Sequence, residues 1–249
     1  MRVLKIVLEG ITTSFRYPHF MLGVQPTFPL PPPATIYGHI CSALGEWFDP
    51  DGVMFAYHFT FAGEGQDLEH IHVLSVSSGK LPGGERKVLE GNVNPFKRNI
   101  LLFPRLTLYL NRPDWIDYFR RPRYPVVLGR SQDLAVYTQI EVIELQQQAQ
   151  VYFEHTLLPY TMAIQIPAGV VALMPSWIDY RNRRRPIFAR YLMLTERVMS
   201  KQMLHFGSQK PRYWYDPTAP RIHDEPLGLV FHTFGGTADE SFTVASLDR

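Results

Sequence analysis

The stretch Pro31–Phe61, PPPATIYGHICSALGEWFDPDGVMFAYHFTF, decides the fold. Pro31 to Pro33 must be extended, and Pro33 or Thr35 then opens a helix, because proline suits a first helical position and no later one. Ile36, Ile40, Ala43, Leu44, Trp47 and Phe48 recur at three- and four-residue spacing, which gives this helix one apolar face and ends it near Asp49-Pro50-Asp51-Gly52. Past that turn the period falls to two. Val53, Phe55, Tyr57, Phe59 and Phe61 alternate with Met54, Ala56, His58 and Thr60, so a strand with one aromatic face follows the helix.

Upstream, Arg2 to Glu9 alternates Val3, Lys5 and Val7 with Leu4, Ile6 and Leu8, a first strand with one mixed face, closed by Gly10. Ser14 to Phe20 and Pro26 to Pro33 form an irregular, proline-punctuated approach to the helix. Downstream, Gly63 to Asp67 turns the chain and Ile71, Val73 and Ser75 continue as a strand. Ser77 to Asn99 lacks periodicity and reads as a long basic loop or protruding hairpin, and connections of that length are usually functional or disordered. Arg105 to Leu110 alternates again, Pro113 to Phe119 fits a short helix, and Leu134 to Leu145 is a further strand. Strand, helix, two or three strands, helix, strand is a split βαβ order, which predicts an α+β fold. Gln146-Gln147-Gln148 marks a composition change, giving a first domain over 1–145 and a smaller β-rich part over 146–249. In the latter, 151–153, 163–166, 170–174 and 229–232 are short strand candidates. Pro186 to Phe206 is its one helix-length stretch, although Ile187, Tyr191 and Leu194 also suit a strand start, and the polar end from Gly235 reads as loosely held.

With 249 residues, 45% of them hydrophobic, the chain can bury a core as one large domain with an appendage, and no run of eighteen apolar residues predicts a membrane span. The 21 prolines, 13 tyrosines and 16 phenylalanines favour strands over a helical bundle. Cys41 is the single cysteine, so no intrachain disulfide forms; with no signal peptide at Met1 to Lys5, a reducing cytoplasm is expected. The net charge of +2 conceals segregation. No Lys or Arg lies between Tyr17 and Gly79, where Glu46, Asp49, Asp51, Glu64, Asp67 and Glu69 make an acidic block. From Lys80 to Arg130 eleven cations meet four acids, leaving +7; from Arg181 to Arg212 nine meet one, leaving +8. Arg outnumbers Lys by 19 to 6, and planar bidentate donors suit phosphate, carboxylate or stacked bases. Basic stripes of this kind are the footprint of an anionic polymer.

The chain has no GxxxxGK[ST] loop, GxSxG elbow, HExxH or CxxC pair, which disfavours nucleotide hydrolases and thiol enzymes. His70 and His72, two apart on a strand, could meet a metal with His58, but lack a spaced third ligand; no metal or other cofactor is expected. Gly129-Arg130-Ser131-Gln132-Asp133, between Val126-Val127-Leu128 and the strand at Leu134, stands out. A glycine lets the backbone approach closely while Arg130, Ser131 and Gln132 supply donors for a phosphate or base edge; the alternative is an ordinary turn with Asp133 bonding its own backbone.

Phe15-Arg16-Tyr17-Pro18, the run Pro31 to Gly38 opening a helix that ends Ala43-Leu44-Gly45-Glu46-Trp47, and Val127-Leu128-Gly129-Arg130-Ser131-Gln132-Asp133-Leu134 resemble CRISPR-associated protein family five, in the manner of subtype I-B. The resemblance implies a ferredoxin-like, RNA-recognition-motif-like domain with a protruding thumb hairpin, at about 77–100 here, and a smaller β-rich C-terminal part. It implies a subunit of the Cascade surveillance complex that holds the 5′ handle of the CRISPR RNA and touches the backbone subunit of family seven and the large subunit of family eight. Carried onto this chain, it places Gly129, Arg130, Ser131 and Gln132 near the handle, with Thr35, Tyr37 and Gly38 of the helix opening beside them, since helix N-termini favour phosphate. Phe15, Arg16 and Tyr17 would flank the same groove, offering stacking and charge. Arg86, Lys87, Lys97 and Arg98 of the thumb, with Arg105, would position the RNA backbone. Arg181, Arg183, Arg184 and Arg185 have no counterpart, and handle, large subunit and target DNA stay open for them. Subtype I-C relatives cut precursor RNA without metal through a Tyr, Lys and His grouping; here Lys97-Arg98-Asn99 has no adjacent His, leaving only His39 and His19. A non-catalytic RNA-holding subunit is therefore expected, with a metal-independent endoribonuclease and a protein-only scaffold as alternatives.

Overall fold

The structure is a computed structural model that describes residues 1–18, 23–85, 89–204 and 211–234. The helix of the opening stretch, α1 (Pro33–Leu44), starts with proline at its first position and stops sooner than its apolar spacing predicts. Gly45 adopts φ +87 and donates its N–H to the Cys41 carbonyl. A side chain at Gly45 would strike Arg123, with the new Cβ only 2.6 Å from its Cγ, so the left-handed turn that only glycine adopts cheaply closes the helix before Trp47 and Phe48.

The strand that follows, β4 (Met54–Thr60), buries Phe55, Tyr57 and Phe59 as its alternation predicts. It lies in a five-stranded antiparallel sheet with β1 (Arg2–Gly10), β7 (Arg105–Leu110), β8 (Ala135–Glu144) and β19 (His232–Thr233), in the order β19-β4-β7-β1-β8. Leu4, Ile6 and Leu8 of β1 join Leu106, Leu108 and Leu110 of β7 in the main core, which α1 and α2 (Ile116–Arg120) cover. The mixed face of β1 is covered too. There Lys5 Nζ lies 2.6 Å from Asp216 Oδ2, and Val3 packs with Tyr109 and Leu229.

The segment from 77 to 99 is where the sequence reading needs most correction. Gly63–Val76 is one strand, β5, and Leu89–Leu102 another, β6; they pair in register from Gly63 opposite Leu102 to Val76 opposite Leu89. The turn expected over Gly63–Asp67 is thus strand, and the aperiodic loop is confined to the distal end. Both faces of the outer hairpin are solvated, so neither β5 nor β6 carries there the alternation that one buried face imposes. At its base β6 also pairs with β2 (Thr12–Thr13) and β3 (Val24–Gln25).

Beyond residue 145 the packing continues without a break. Strands β11 (Thr156–Pro159), β12 (Val170–Asp179) and β13 (Arg185–Leu194) form a sheet in the order β11-β13-β12, and Leu157, Met174 and Met193 belong to the same core as α1. The helix-length stretch from Pro186 is therefore strand as far as Leu194, its β-branched and aromatic residues being satisfied on both sides by pairing. The strand expected at 163–166 is instead turn, following a single 3-10 turn at Tyr160–Met162. Short pairings complete this part: β10 (Tyr152–Phe153) with β14 (Val198–Met199), β9 (Gln146–Gln148) and β18 (Gly228–Leu229) on either side of β15 (Tyr213–Tyr215), and β16 (Arg221–Ile222) with β17 (Glu225–Pro226). The polar end from Gly235, His19, and Arg86 and Lys87 lie outside the described residues. No described helix is long and apolar enough to cross a membrane.

Candidate nucleic-acid interface

The glycine turn sits where the β5–β6 hairpin leaves the molecule. Gly129 has φ +95, and a Cβ there would lie 2.6 Å from Thr13 Oγ1 and 2.8 Å from the Ser14 carbonyl oxygen, so the turn is pressed onto β2 by the absence of a side chain. Thr13 Oγ1 donates to the Leu128 carbonyl at 2.6 Å and Thr12 Oγ1 to Asp133 Oδ1 at 2.8 Å. Asp133, fully buried, accepts from the Arg130 N–H at 3.0 Å and, bidentately, from Arg130 Nε at 2.9 Å and Nη2 at 2.8 Å. Asp133 thus bonds its own turn backbone, as the alternative reading had it, and the same carboxylate holds the Arg130 guanidinium.

The remaining guanidinium nitrogen of Arg130, Nη1, donates to Glu69 Oε1 at 2.6 Å and Asp67 Oδ2 at 3.0 Å, both on β5. Glu69 also holds Arg98, whose Nε lies 2.7 Å from Oε2. The side chains of Arg98 and Arg130 are only 9% and 12% exposed. Three carboxylates therefore surround two guanidiniums, a local charge of −1. Asp133 first, then Glu69 and Asp67, push the Arg130 pKa above its ordinary value, so its charge is fixed. The two arginines expected to grip phosphate instead fasten the hairpin to the turn. What the sequence reading missed is Asp67 and Glu69, counted only as part of an acidic block. The signal lay in the hairpin register, which sets Asp67 opposite Arg98.

Other expected residues divide by burial. Phe15 is in the core against Phe59, with ring centroids 5.5 Å apart. Tyr37 is 2% exposed, donates its hydroxyl to the Phe48 carbonyl at 2.7 Å, and is pushed up to about 12 by burial. These two are corrected from groove to core, because α1 turns its apolar face inward at Tyr37 and Phe15 packs into the same core. The helix opening is corrected likewise. Pro31, Pro32 and Pro33 are buried, the Thr35 and Ile36 amides are bonded to the Pro32 carbonyl, and Thr35 and Gly38 are half-buried, so few donors face outward. Tyr17 is half-buried and stacked on Phe28 at 3.6 Å, while Arg16 is exposed. Arg105 is exposed and ion-paired with Glu9 across the β1–β7 ladder. Lys97, Ser131 and Gln132 are exposed, the last two on the crest of the glycine turn.

His39 cannot reach solvent. Its Nδ1 lies 3.0 Å from the Val127 carbonyl oxygen, which only accepts, so Nδ1 carries the hydrogen and Nε2 accepts from the Tyr137 hydroxyl at 2.9 Å. Burial lowers its pKa to about 4. His70 and His72 lie side by side on exposed β5, with ring centroids 6.4 Å apart, and no group of three metal-ligating side chains occurs among the described residues.

No family model and no curated protein matches the chain. Among solved structures it is similar to a chain of a "CRISPR RNA-guided surveillance complex", with 16% identity and a TM-score of 0.51 over 80% of this chain and 92% of that one. It is also similar to a CRISPR protein from Archaeoglobus fulgidus, with 9% identity and a TM-score of 0.43 over 94% of this chain and 99% of that one. The strand-rich α+β fold, with few helices, is the fold of the first of these neighbours.

Proposed function

We propose that this chain is a non-catalytic RNA-binding subunit of a type I CRISPR Cascade complex, similar to family five of subtype I-B, which holds the 5′ handle of the CRISPR RNA and joins the backbone to the large subunit. The observation that carries the proposal is the fold shared over 92% of a chain from an RNA-guided surveillance complex. The spatial order β4-β7-β1-β8, with α1 and α2 on one face, is the order of a ferredoxin-like domain, which supports the RNA-recognition reading. The β5–β6 hairpin is the counterpart of the family's thumb, longer at its base than the expected 77–100. Arg130 and Arg98 then serve by fixing that thumb against the turn, and the direct contacts fall to Arg16, Lys97, Ser131 and Gln132. His39 has both ring nitrogens engaged in the interior, which favours holding over cutting.

Filter binding of repeat-derived RNA to the purified chain, titrated with salt, tests this. With Arg16 and Lys97 as the cations of that surface the slope of log K against log salt is about −1.4, and Lys97→Ala with Ser131→Ala and Gln132→Ala weakens handle binding. A slope near zero refutes the proposal in favour of a protein-only scaffold. Defined cleavage of repeat RNA in EDTA, lost on Tyr17→Phe, refutes it in favour of the endoribonuclease.

A further inference from the structure

Both basic blocks of the sequence divide in the fold between cations that meet a carboxylate and cations that do not. In the first, Arg98, Arg105, Arg112, Arg120 and Arg130 each face a carboxylate: Glu69, Glu9, Asp114, Asp117 and the Asp67–Glu69–Asp133 group respectively. In the second, Arg181, Arg183, Arg184 and Arg185 cluster at the tip between β12 and β13, all exposed and without an ion-pair partner among the described residues. Lys80, Lys97, Arg121 and Arg123 of the first block are exposed too, but only this tip brings four arginines together within five consecutive residues.

The tip is built at a cost. The Arg185 N–H donates to the Asn182 carbonyl at 3.0 Å, closing a turn whose two central residues, Arg183 and Arg184, have φ +53 and +58. Turns of this kind take Asn-Gly or Asp-Gly, and side chains larger than these are strained there. Two arginines at such positions are not explained by the turn. They are explained by what they reach. Arg184 lies over the Tyr180 ring at 5.4 Å, and Tyr180 stacks on Trp47 at 3.5 Å with the rings 18° apart. Trp47 is still 51% exposed, and this stack walls an open cavity of about 560 Å³ to which Arg181 and Trp177 also contribute. Free guanidiniums beside an exposed aromatic stack are the two elements of single-strand recognition: charge that follows the phosphates and a π-face for a base.

We infer that the β12–β13 tip, Arg181 with Arg183, Arg184 and Arg185, together with the Trp47–Tyr180 stack, is a second binding surface for the backbone and bases of a single-stranded nucleic acid. This goes beyond the handle-holding proposal and stands apart from it, since it uses none of the residues at the glycine turn and holds for a chain of any cellular role. The strand is either a guide RNA or a DNA strand, and the chemistry is shared.

The test uses the full chain and two labelled probes, a 20-nucleotide oligo-U RNA and a 20-nucleotide oligo-dT DNA, in fluorescence anisotropy from 50 to 400 mM salt. Arg183→Asn with Arg184→Gly installs the preferred turn and removes two contacts. Its melting temperature rises by about 2–4 °C, its salt slope flattens by about 1.4, and its affinity at 100 mM salt falls about 25-fold, each contact contributing about fivefold there relative to 1 M. Loss for one probe alone supports the surface and identifies its strand. Trp47→Ala weakens binding with the slope unchanged. Arg112→Ala with Arg120→Ala removes the same charge from carboxylate-paired sites and leaves affinity and slope as they were. Unchanged binding by the turn variant, or equal loss in the paired-arginine control, overturns the inference; the first outcome returns the tip to a protein partner. Because repeat-RNA binding by the glycine-turn variant is read separately, either proposal can fail alone.

Discussion

Acid should unfold this protein through its histidines, well above the range in which carboxylates titrate. His39, His58 and His232 are each lowered from 6.5 to about 4, foremost by burial. His232 Nε2 donates to the Leu157 carbonyl at 3.0 Å, His39 is held as described above, and His58 is further lowered by neighbouring His155, whose ring lies 5.8 Å away. In the unfolded chain these groups take up a proton near pH 6.5; in the folded chain they resist until about pH 4. The unfolded state thus binds more protons throughout that window, and stability is fully present above pH 6.5, falls as pH falls, and levels off below 4. A displacement of about 2.5 pH units is worth about 3.4 kcal/mol per histidine across the window, of which about 2 kcal/mol is lost by pH 5. Three such groups remove about 6 kcal/mol, comparable with the whole stability of an ordinary domain. Urea unfolding followed by tryptophan fluorescence at pH 7, 6 and 5 measures it. His39→Gln with His232→Gln, referred to its own stability at pH 7, should show a pH dependence reduced by about 4 kcal/mol at pH 5. A wild-type stability constant within about 1 kcal/mol from pH 7 to pH 5 refutes the argument.

Gly129→Ala should cost more than 2 kcal/mol in urea titration, since the positive φ and the 2.6 Å approach to Thr13 Oγ1 act together. Arg130→Lys should destabilise nearly as much as Arg130→Ala, by about 1–3 kcal/mol, and should speed proteolysis of the β5–β6 hairpin, because an ammonium cannot replace the bidentate grip on Asp133. Among the described residues, Asp216→Ala leaves buried Lys5 with only the Glu141 carboxylate, 3.5 Å away, and removes the acceptor of the Tyr109 hydroxyl; a loss of about 3–5 kcal/mol is expected by calorimetry. Cys41, buried and pushed up to about 11, should react with a thiol reagent only at the rate of unfolding.

Where one face of an element is buried, its period was readable: β1, β4, β7 and α1 announce themselves because Leu4-Ile6-Leu8, Phe55-Tyr57-Phe59 and Ile36-Ile40-Ala43 each line the core. The β5–β6 hairpin projects into solvent, and nothing there forces Leu68 or Val93 to alternate with polar neighbours, so the start of β5 passed for a turn and β6 for part of a long loop or protruding hairpin. The candidate site was legible in composition and turn chemistry but not in pairing. Gly129 needed its glycine for a stated reason, yet whether Arg130 faces a phosphate or Glu69 depends on a partner about 60 residues earlier in the chain, which no local pattern reports. Charge counts have the same weakness: +7 described a block whose arginines are largely spent on acids, and +8 described one whose tip is free.

Strand β19 gives the chain a timetable. Its His232 pairs with Phe55 at the edge of the first sheet, and Phe234 seals the same region against Tyr37, Phe48 and Phe55. During synthesis β4 is made about 180 residues before the segment that covers it, a delay of roughly 10–40 s at ordinary translation rates. For that interval the nascent sheet presents an open aromatic edge, the kind of surface that chaperones shield and that other chains can capture. A polypeptide that stops short of Phe234 keeps most of these core residues but leaves that edge uncovered, so it should be cleaved by protease faster than the full chain.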